Sequence, residues 1–222
     1  MQNFLSFSTL SDIASNRSSY TSALQEAGLI PSTSSADISK LSKYSSNDSL
    51  VRSLVAAALY PNIARIVLPA TKYEKLSSGS LALDPEARSI KFFTTIDSPD
   101  NREERVFIHP GSTLFSATTF VDNCPFAAFF TRVQTSKVFL RDVTPAAPLA
   151  VLLLCGDQIE IDHFGRGVQV RALRMKAWAR IGTLIAILRR LLDERLKWKI
   201  ENPSIDILDD SVITCLRNLV QG

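Results

Sequence analysis

Catalytic signatures are what this 222-residue sequence most clearly lacks. It contains no G-x-x-x-x-G-K-[ST] phosphate loop, no G-x-G-x-x-G fingerprint and no G-x-S-x-G elbow, so the commonest nucleotide-binding and acyl-transfer chemistries have no motif to rest on. Histidine is scarce, with only His109 and His163 present. A nucleophile system built from Ser112, His109 and a carboxylate would need near neighbours in an extended segment to point together, which they seldom do. Asp157, Glu160, Asp162 and His163 could be drawn as a metal set, with Glu160 and Asp162 on one face of a strand, but a solvated strand edge accounts for them more simply. Asp209 and Asp210 stand where a helix would begin and suit the positive end of its dipole. No catalytic residue and no metal or cofactor site is expected in this chain.

Cysteine is sparse as well. Cys124, Cys155 and Cys215 are odd in number, far apart and set among apolar residues, which argues against a disulfide framework or a closely spaced zinc site and predicts buried free thiols in a reducing compartment. The longest apolar runs, such as APLAVLLLC over 147–155, fall well short of the roughly 20 residues that cross a bilayer. The first residues show no basic stretch followed by an apolar segment and a cleavage site. The expectation is a protein that neither spans a membrane nor is secreted. A composition of 45% hydrophobic and 21% charged residues is ordinary for a globular domain. Net charge is only +3, yet residues 164–200 hold ten Lys or Arg against Asp193 and Glu194, a local +8 that leaves −5 for the remainder. The positive field is thus concentrated towards the C-terminal end.

The apolar periodicity organises the chain. STLSDIASNRSSYTSALQEAGL carries Leu10, Ile13, Tyr20, Leu24 and Ala27 at helical spacing and stops at Gly28, which predicts one amphipathic helix. Seven of the fifteen residues from Ser32 to Ser46 are serine, a composition that buries little and predicts a mobile surface loop. NDSLVRSLVAAALYP reads as an apolar helix capped by Asn47 or Asp48 and ended by Pro61. From Ile63 onwards short β-branched and aromatic segments alternate with turn residues: IARIVL, SIKFFTT, RVFIHP, PFAAFFTRV, KVFLRDV, DQIEIDH and GVQVRAL. These predict a small barrel or sandwich, interrupted by a short buried helix at PAAPLAVLLLC. Met175 to Ile200 reads as a long helix with Trp178, Ile181, Ile185, Leu188, Leu192 and Leu196 as its core stripe and Arg180, Arg189, Arg190, Arg195 and Lys199 on or beside the other face. DDSVITCLRNLV closes the chain as a further helix, and there is no internal repeat.

Within this frame TRVQTSKVFLRDVT (131–144) looks like two strands meeting at a turn. Thr135, Ser136 and Lys137 bring hydroxyls, an ammonium and accessible backbone N–H groups together, the donors that hold phosphate oxygens without reading sequence. HPGS over 109–112 offers an imidazole, a small residue and a hydroxyl in another loop. Residue types alone leave two readings open: a solvated strand face closed by a polar turn, or a phosphate-binding edge.

NDSLVRSLVAAALYPNIARI, VFIHPGSTLF, FFTRVQTSKVFLRDVTPAAPLAVLLLCGDQIEI and a basic helix ending KIENP, in that order, resemble the C-terminal part of DEAH-box (DExH) RNA helicases. NFLSFSTLSDIASNRSSYTSALQEAGL is similar to the last helices of that family's helical bundle. The resemblance implies an α+β architecture in two parts: residues 1–61 as terminal bundle helices with the serine-rich loop, and 62–222 as an oligonucleotide-binding (OB) barrel with C-terminal helices. It further implies that Thr135, Ser136 and Lys137 contact the RNA backbone, with Arg132 and Arg141 as flanking charge and His109 and Ser112 as a second loop, where Gly111 replaces a family serine. Single-stranded RNA and the helicase motor domains are the implied partners, in the cytoplasm or alternatively the nucleus. ATP and Mg belong to the motor domains, so the chain reads as a fragment or truncated product of a larger helicase. The alternative function is a protein-docking module for the motor domains, a regulatory cofactor or the ribosome.

Overall fold

The computed structural model describes residues 6–30, 40–68, 73–75, 81–83, 90–96, 102–117, 124–156, 158–164 and 166–221. The chain divides into two compact units, one of residues 1–46 and 190–215, the other of 47–189 and 216–222. Most of the serine-rich stretch lies outside the described residues, as does Asp157 of the drawn metal set.

Helix α1 (Phe7–Glu26) lies in the smaller unit, and the larger unit begins with the apolar helix expected after Asn47. Helix α2 (Asp48–Leu59) starts at Asn47, whose side-chain oxygen accepts from Leu50 N–H at 2.9 Å, satisfying one of the donors a helix leaves open at its first turn. Strands β1 (Ile63–Val67), β2 (Tyr73–Lys75), β3 (Leu81–Leu83), β4 (Lys91–Thr94), β5 (Glu104–Ile108), β6 (Phe126–Gln134) and β7 (Val138–Ala146) follow, then helix α3 (Pro148–Leu154) and strands β8 (Ile159–Asp162), β9 (Gly167–Val170) and β10 (Leu173–Lys176). Strands β1, β4, β5, β7 and β6 close in that order into a barrel, with β5 parallel to β7 and the other pairs antiparallel. This is a five-stranded OB-type barrel. Strands β2 and β3 pair as a separate hairpin that the sequence pattern did not announce, and β8 to β10 form a three-stranded sheet.

Burial explains the sequence of the barrel. Alternate residues Ala64, Ile66, Phe92, Val106, Ile108, Phe129, Val138 and Leu140 fill its interior. A second cluster, Ala56, Ile63, Phe126, Ala128, Ala146, Val151 and Cys155, lies among α2, α3 and the adjoining strands. Strand β6 therefore starts with four consecutive buried residues, Phe126 to Phe129. Two buried faces remove the period-2 alternation that marks a half-exposed strand, which is why PFAAFF is continuously apolar. Helix α3 has Pro148 in its first turn, and Ala150 to Leu153 are buried, so the expected short buried helix is present.

Helix α4 (Ala179–Glu201) begins four residues later than its sequence pattern suggests. Leu173–Lys176 instead pairs with β9 as β10, reached by a turn in which Arg171 takes a left-handed φ of 53°. The expected core stripe is also displaced. Its buried positions are Gly182, Ile185 and Arg189, whereas Trp178, Ile181 and Leu196 are exposed. Gly182 explains part of this, since an added Cβ there would lie 2.7 Å from Val168 Cγ2; its missing side chain lets the helix approach the sheet closely. Arg189, expected beside the cationic face, is buried and donates from Nη1 to Leu152 O at 3.0 Å. That carbonyl is among the last of α3, which lack partners within their own helix. A cation near a helix C-terminus is favoured there.

In the smaller unit α1 is capped by Ser6, and its apolar positions Leu10, Ile13, Tyr20 and Leu24 are exposed. Residues from α4 join it: Lys199 Nζ donates to Pro203 O at 2.5 Å and Ile205 O at 2.6 Å, and Arg195 pairs with Asp210 at 3.0 Å. Helix α5 (Ser211–Gln221) is the last element. Asp210 Oδ1 accepts from Val212 N–H at 2.8 Å, so it serves the start of this helix as expected. Cys124 and Cys155 are buried and outside any disulfide, but Cys215, also expected to be buried, is exposed on α5: an apolar sequence neighbourhood does not fix which side of a helix a residue occupies. No described helix is long and apolar enough to cross a membrane.

Candidate functional site

The barrel separates residues that the sequence places together. In β5, Val106 and Ile108 are buried, so the alternating positions Arg105, Phe107 and His109 fall on the opposite face. In β7, Val138 and Leu140 are buried, so Phe139 and Arg141 fall on that outer face too, with Lys137 just before the strand. Parallel pairing sets Phe107 beside Phe139, with ring centroids 6.2 Å apart. A ladder results in which cations and aromatic rings alternate along two adjacent strands. Lys137 Nζ sits 4.7 Å from the Phe107 ring centroid and Arg105 Cζ 5.1 Å from it, within the range of cation–π attraction. The His109 ring meets Phe139 edge-on at 6.0 Å.

The turn between β6 and β7 stands at one end of this ladder. Thr135 N–H and the Thr135 hydroxyl both donate to Lys137 O, at 2.9 and 3.2 Å, so Thr135 closes the turn with its own donors. Ser136 and Lys137 are exposed at the tip. The other end holds His109 and Arg141. Gly111 N–H donates to His109 Nδ1 at 3.0 Å, and His109 N–H donates to Leu140 O at 2.9 Å. Nε2 lies 2.9 Å from Arg141 Nη2; a guanidinium only donates and a neutral imidazole has one acceptor nitrogen, so the ring takes one of these two donors at a time. Arg141 keeps further guanidinium N–H groups there, from which an anionic oxygen could accept. Ser112 lies in the turn beyond, its N–H donating to His109 O at 2.9 Å.

Arg132 does not join this set. Its partner across the β6–β7 ladder is Leu140 rather than Arg141, and directly opposed residues share a face. Its guanidinium reaches Glu104 Oε2 at 2.6 Å and Ile96 O at 3.3 Å. Arg65 on β1 is likewise paired, in a two-point contact with Glu103 that raises its own pKa and lowers that of the Glu103 carboxyl through hydrogen bonding. Sequence reasoning missed Arg105, Phe107 and Phe139. The signal was present as the period-2 patterns RVFIH and KVFLR, which place cation, aromatic and cation or imidazole on one strand face. Among the described residues no cluster of His, Cys, Asp and Glu could hold a metal ion.

Comparison with known proteins fits this geometry. A family model described as the oligonucleotide/oligosaccharide-binding (OB) fold matches residues 51–159, and one described as the C-terminal domain in RNA helicases matches 172–222. The chain is 34% identical over 220 residues to the putative ATP-dependent RNA helicase ucp12 of Schizosaccharomyces pombe, a match covering 98% of this chain and 16% of that protein. A putative DEAH-box ATP-dependent helicase of Mycosarcoma maydis is 37% identical over 221 residues, covering 90% of this chain and 14% of its own length. The chain belongs to the DEAH-box RNA helicase family. A DExH-box ATP-dependent RNA helicase of Arabidopsis thaliana, 28% identical, matches 99% of the chain and 16% of itself. The chain thus corresponds to about a sixth of such a helicase, and the part it corresponds to comprises the OB fold and the helicase C-terminal domain. The ladder and the β6–β7 turn lie within the OB-fold match, and the basic helix α4 lies wholly within the C-terminal match.

Proposed function

We propose that this region is an RNA-binding accessory module of an ATP-dependent DEAH-box helicase, holding the backbone of single-stranded RNA. The observation that carries this reading is the alternation of cations and aromatic rings along β5 and β7, ending at an exposed Ser136–Lys137 turn. OB barrels bind oligonucleotides through the loop between their fourth and fifth strands, the position of this turn between β6 and β7. Ser136 and Lys137 donate to one phosphate. Arg141, with His109 beside it, donates to another, four residues along β7 from Lys137, or about 13 Å at strand rise. Thr135 holds the turn in shape, and Arg132 supports the barrel through Glu104. The chemistry is electrostatic and hydrogen-bonding, with no reaction at this site; ATP and Mg act in the motor domains of the parent protein, which are its intramolecular partners.

Fluorescence anisotropy with labelled oligo-U tests the assignment. The Ser136→Ala/Lys137→Ala variant should bind roughly tenfold more weakly than wild type at low salt, the loss of about one charge-assisted contact. A Lys176→Ala control, on the separate three-stranded sheet, should bind as wild type does. Equal affinities for all three chains would remove the turn from the RNA site.

A further inference from the structure

Beside the β6–β7 turn the surface opens into a groove of about 410 Å³, lined by Ile90, Phe107, Leu114, Phe115, Lys137 and Phe139 among others. Its volume falls in the range of about 300–1,000 Å³ typical of small-ligand sites. Its outer wall is built by the chain that follows His109. That segment folds as successive tight turns, with Ser112 N–H to His109 O at 2.9 Å, Phe115 N–H to Ser112 O at 3.1 Å and Ala117 N–H to Leu114 O at 3.1 Å. Leu114 is thereby packed against the barrel core, while Phe115 is 56% exposed. A phenylalanine placed next to a core anchor yet left open to solvent forgoes the burial that normally accounts for such a residue.

The rings of the groove differ in what they can still accept. Phe107 already has the Arg105 and Lys137 cations against it, and Phe139 has Phe107 and His109 against it. Phe115 has the exposed ring. Lys137 belongs to both places: its ammonium stands at the turn that holds a phosphate and also lines the groove. A nucleotide whose phosphate is held by Ser136 and Lys137 therefore has its base next to the groove, and the cationic rim favours no apolar protein side chain in the same way.

We propose that the groove is a base subsite, in which one unpaired nucleobase leaves the stack of the RNA strand and lies on Phe115 between Leu114 and Lys137. This rests on the backbone-binding reading and adds to it a contribution that phosphate contacts alone do not give. Stacking of this kind tolerates any base because each has a π-face, so the subsite grips without selecting a sequence.

An oligonucleotide of abasic residues keeps every phosphate and lacks every base, and separates the two contributions. Wild-type chain should bind oligo-U roughly five- to a hundredfold more tightly than an abasic oligomer of equal length, the span that one to a few kcal/mol of stacking per base covers. Phe115→Ala, at an exposed position that leaves the fold intact by circular dichroism, should bring oligo-U down to the abasic affinity and leave the abasic affinity and the salt slope unchanged. Phe115→Trp should restore the difference. Equal binding of oligo-U and the abasic oligomer by wild type, or an equal loss of both in Phe115→Ala, would overturn the base subsite. Failure of the backbone reading looks different: neither oligomer would then show affinity that falls steeply with salt.

Discussion

Gly182→Ala sets two physical effects against each other, and the structure decides between them. In a solvent-facing helix the substitution would stabilise, because alanine is favoured over glycine by about 1 kcal/mol. At the start of α4, however, the new Cβ would lie 2.7 Å from Val168 Cγ2 and 3.5 Å from two carbons of Ile161. Carbon atoms in good contact stand about 3.5–4.0 Å apart, so Val168 or the helix has to move by about an ångström. Val168 is fully buried in the central strand of its sheet and has little room to yield. Overpacking of this kind costs about 1–3 kcal/mol, which exceeds the gain in helix propensity. The expected net loss is about 1 kcal/mol, or about 2–4 °C in melting temperature for a chain of this size. Thermal unfolding followed by circular dichroism measures it. The cause is then isolated by adding Val168→Ala, which removes the clashing methyl. The double variant should be more stable than the sum of the two single losses by about 1 kcal/mol, the coupling expected of residues in contact. A Gly182→Ala chain that melts higher than wild type, or strict additivity with Val168→Ala, would refute the close approach of α4 to β9.

Other expectations follow from single contacts. Arg189→Met keeps most of the side-chain volume and orphans the carbonyl of Leu152; urea titration should show a loss of about 1–3 kcal/mol, the cost of an unsatisfied buried acceptor. Asn47→Ala removes the oxygen that caps α2 and should cost about 0.5–2 kcal/mol in the same assay. Burial pushes the Cys155 thiol up from 9.0 to about 11. Because its folded-state pKa lies above the unfolded value, the chain holds that proton more tightly when folded, so this contribution is complete below about pH 9 and is lost as pH rises towards 11. Cys155→Ala should flatten the fall of stability over that window. At pH 8 a maleimide should label exposed Cys215 far faster than buried Cys155, and equal rates would contradict the packing of α2 on α3.

The barrel was legible because its strands announce themselves by β-branched and aromatic residues bounded by turns, and because Asn47, Pro148 and Asp210 carry local capping chemistry that tertiary contacts do not override. The three-stranded sheet was only half legible. MKAWAR has helical residues on both sides of the boundary, and pairing with β9 rather than propensity draws Leu173–Lys176 into a strand. The stripe on α4 misled for a related reason: apolar spacing gives a face, whereas Gly182, a residue without hydrophobicity, marks where the neighbouring sheet comes closest. Of the site, the turn at Thr135 to Lys137 could be read from residue types. The division of labour within it could not, since only coordinates show Thr135 spending its hydroxyl on the turn and Arg132 facing Glu104. The ladder required knowing that β5 and β7 are neighbours, a parallel pairing between segments about thirty residues apart in sequence.

The measurement closest to the central claim is the salt dependence of oligo-U binding by wild type and by Lys137→Ala/Arg141→Ala. For single strands the logarithm of the affinity falls by about 0.7 per tenfold rise in salt for each phosphate neutralised. Removing two cations from two phosphate seats should therefore lower the slope by about 1.4 and weaken binding most at low salt. A slope that is the same in both chains, or a wild-type affinity that does not respond to salt, would contradict the assignment of this face to the RNA backbone.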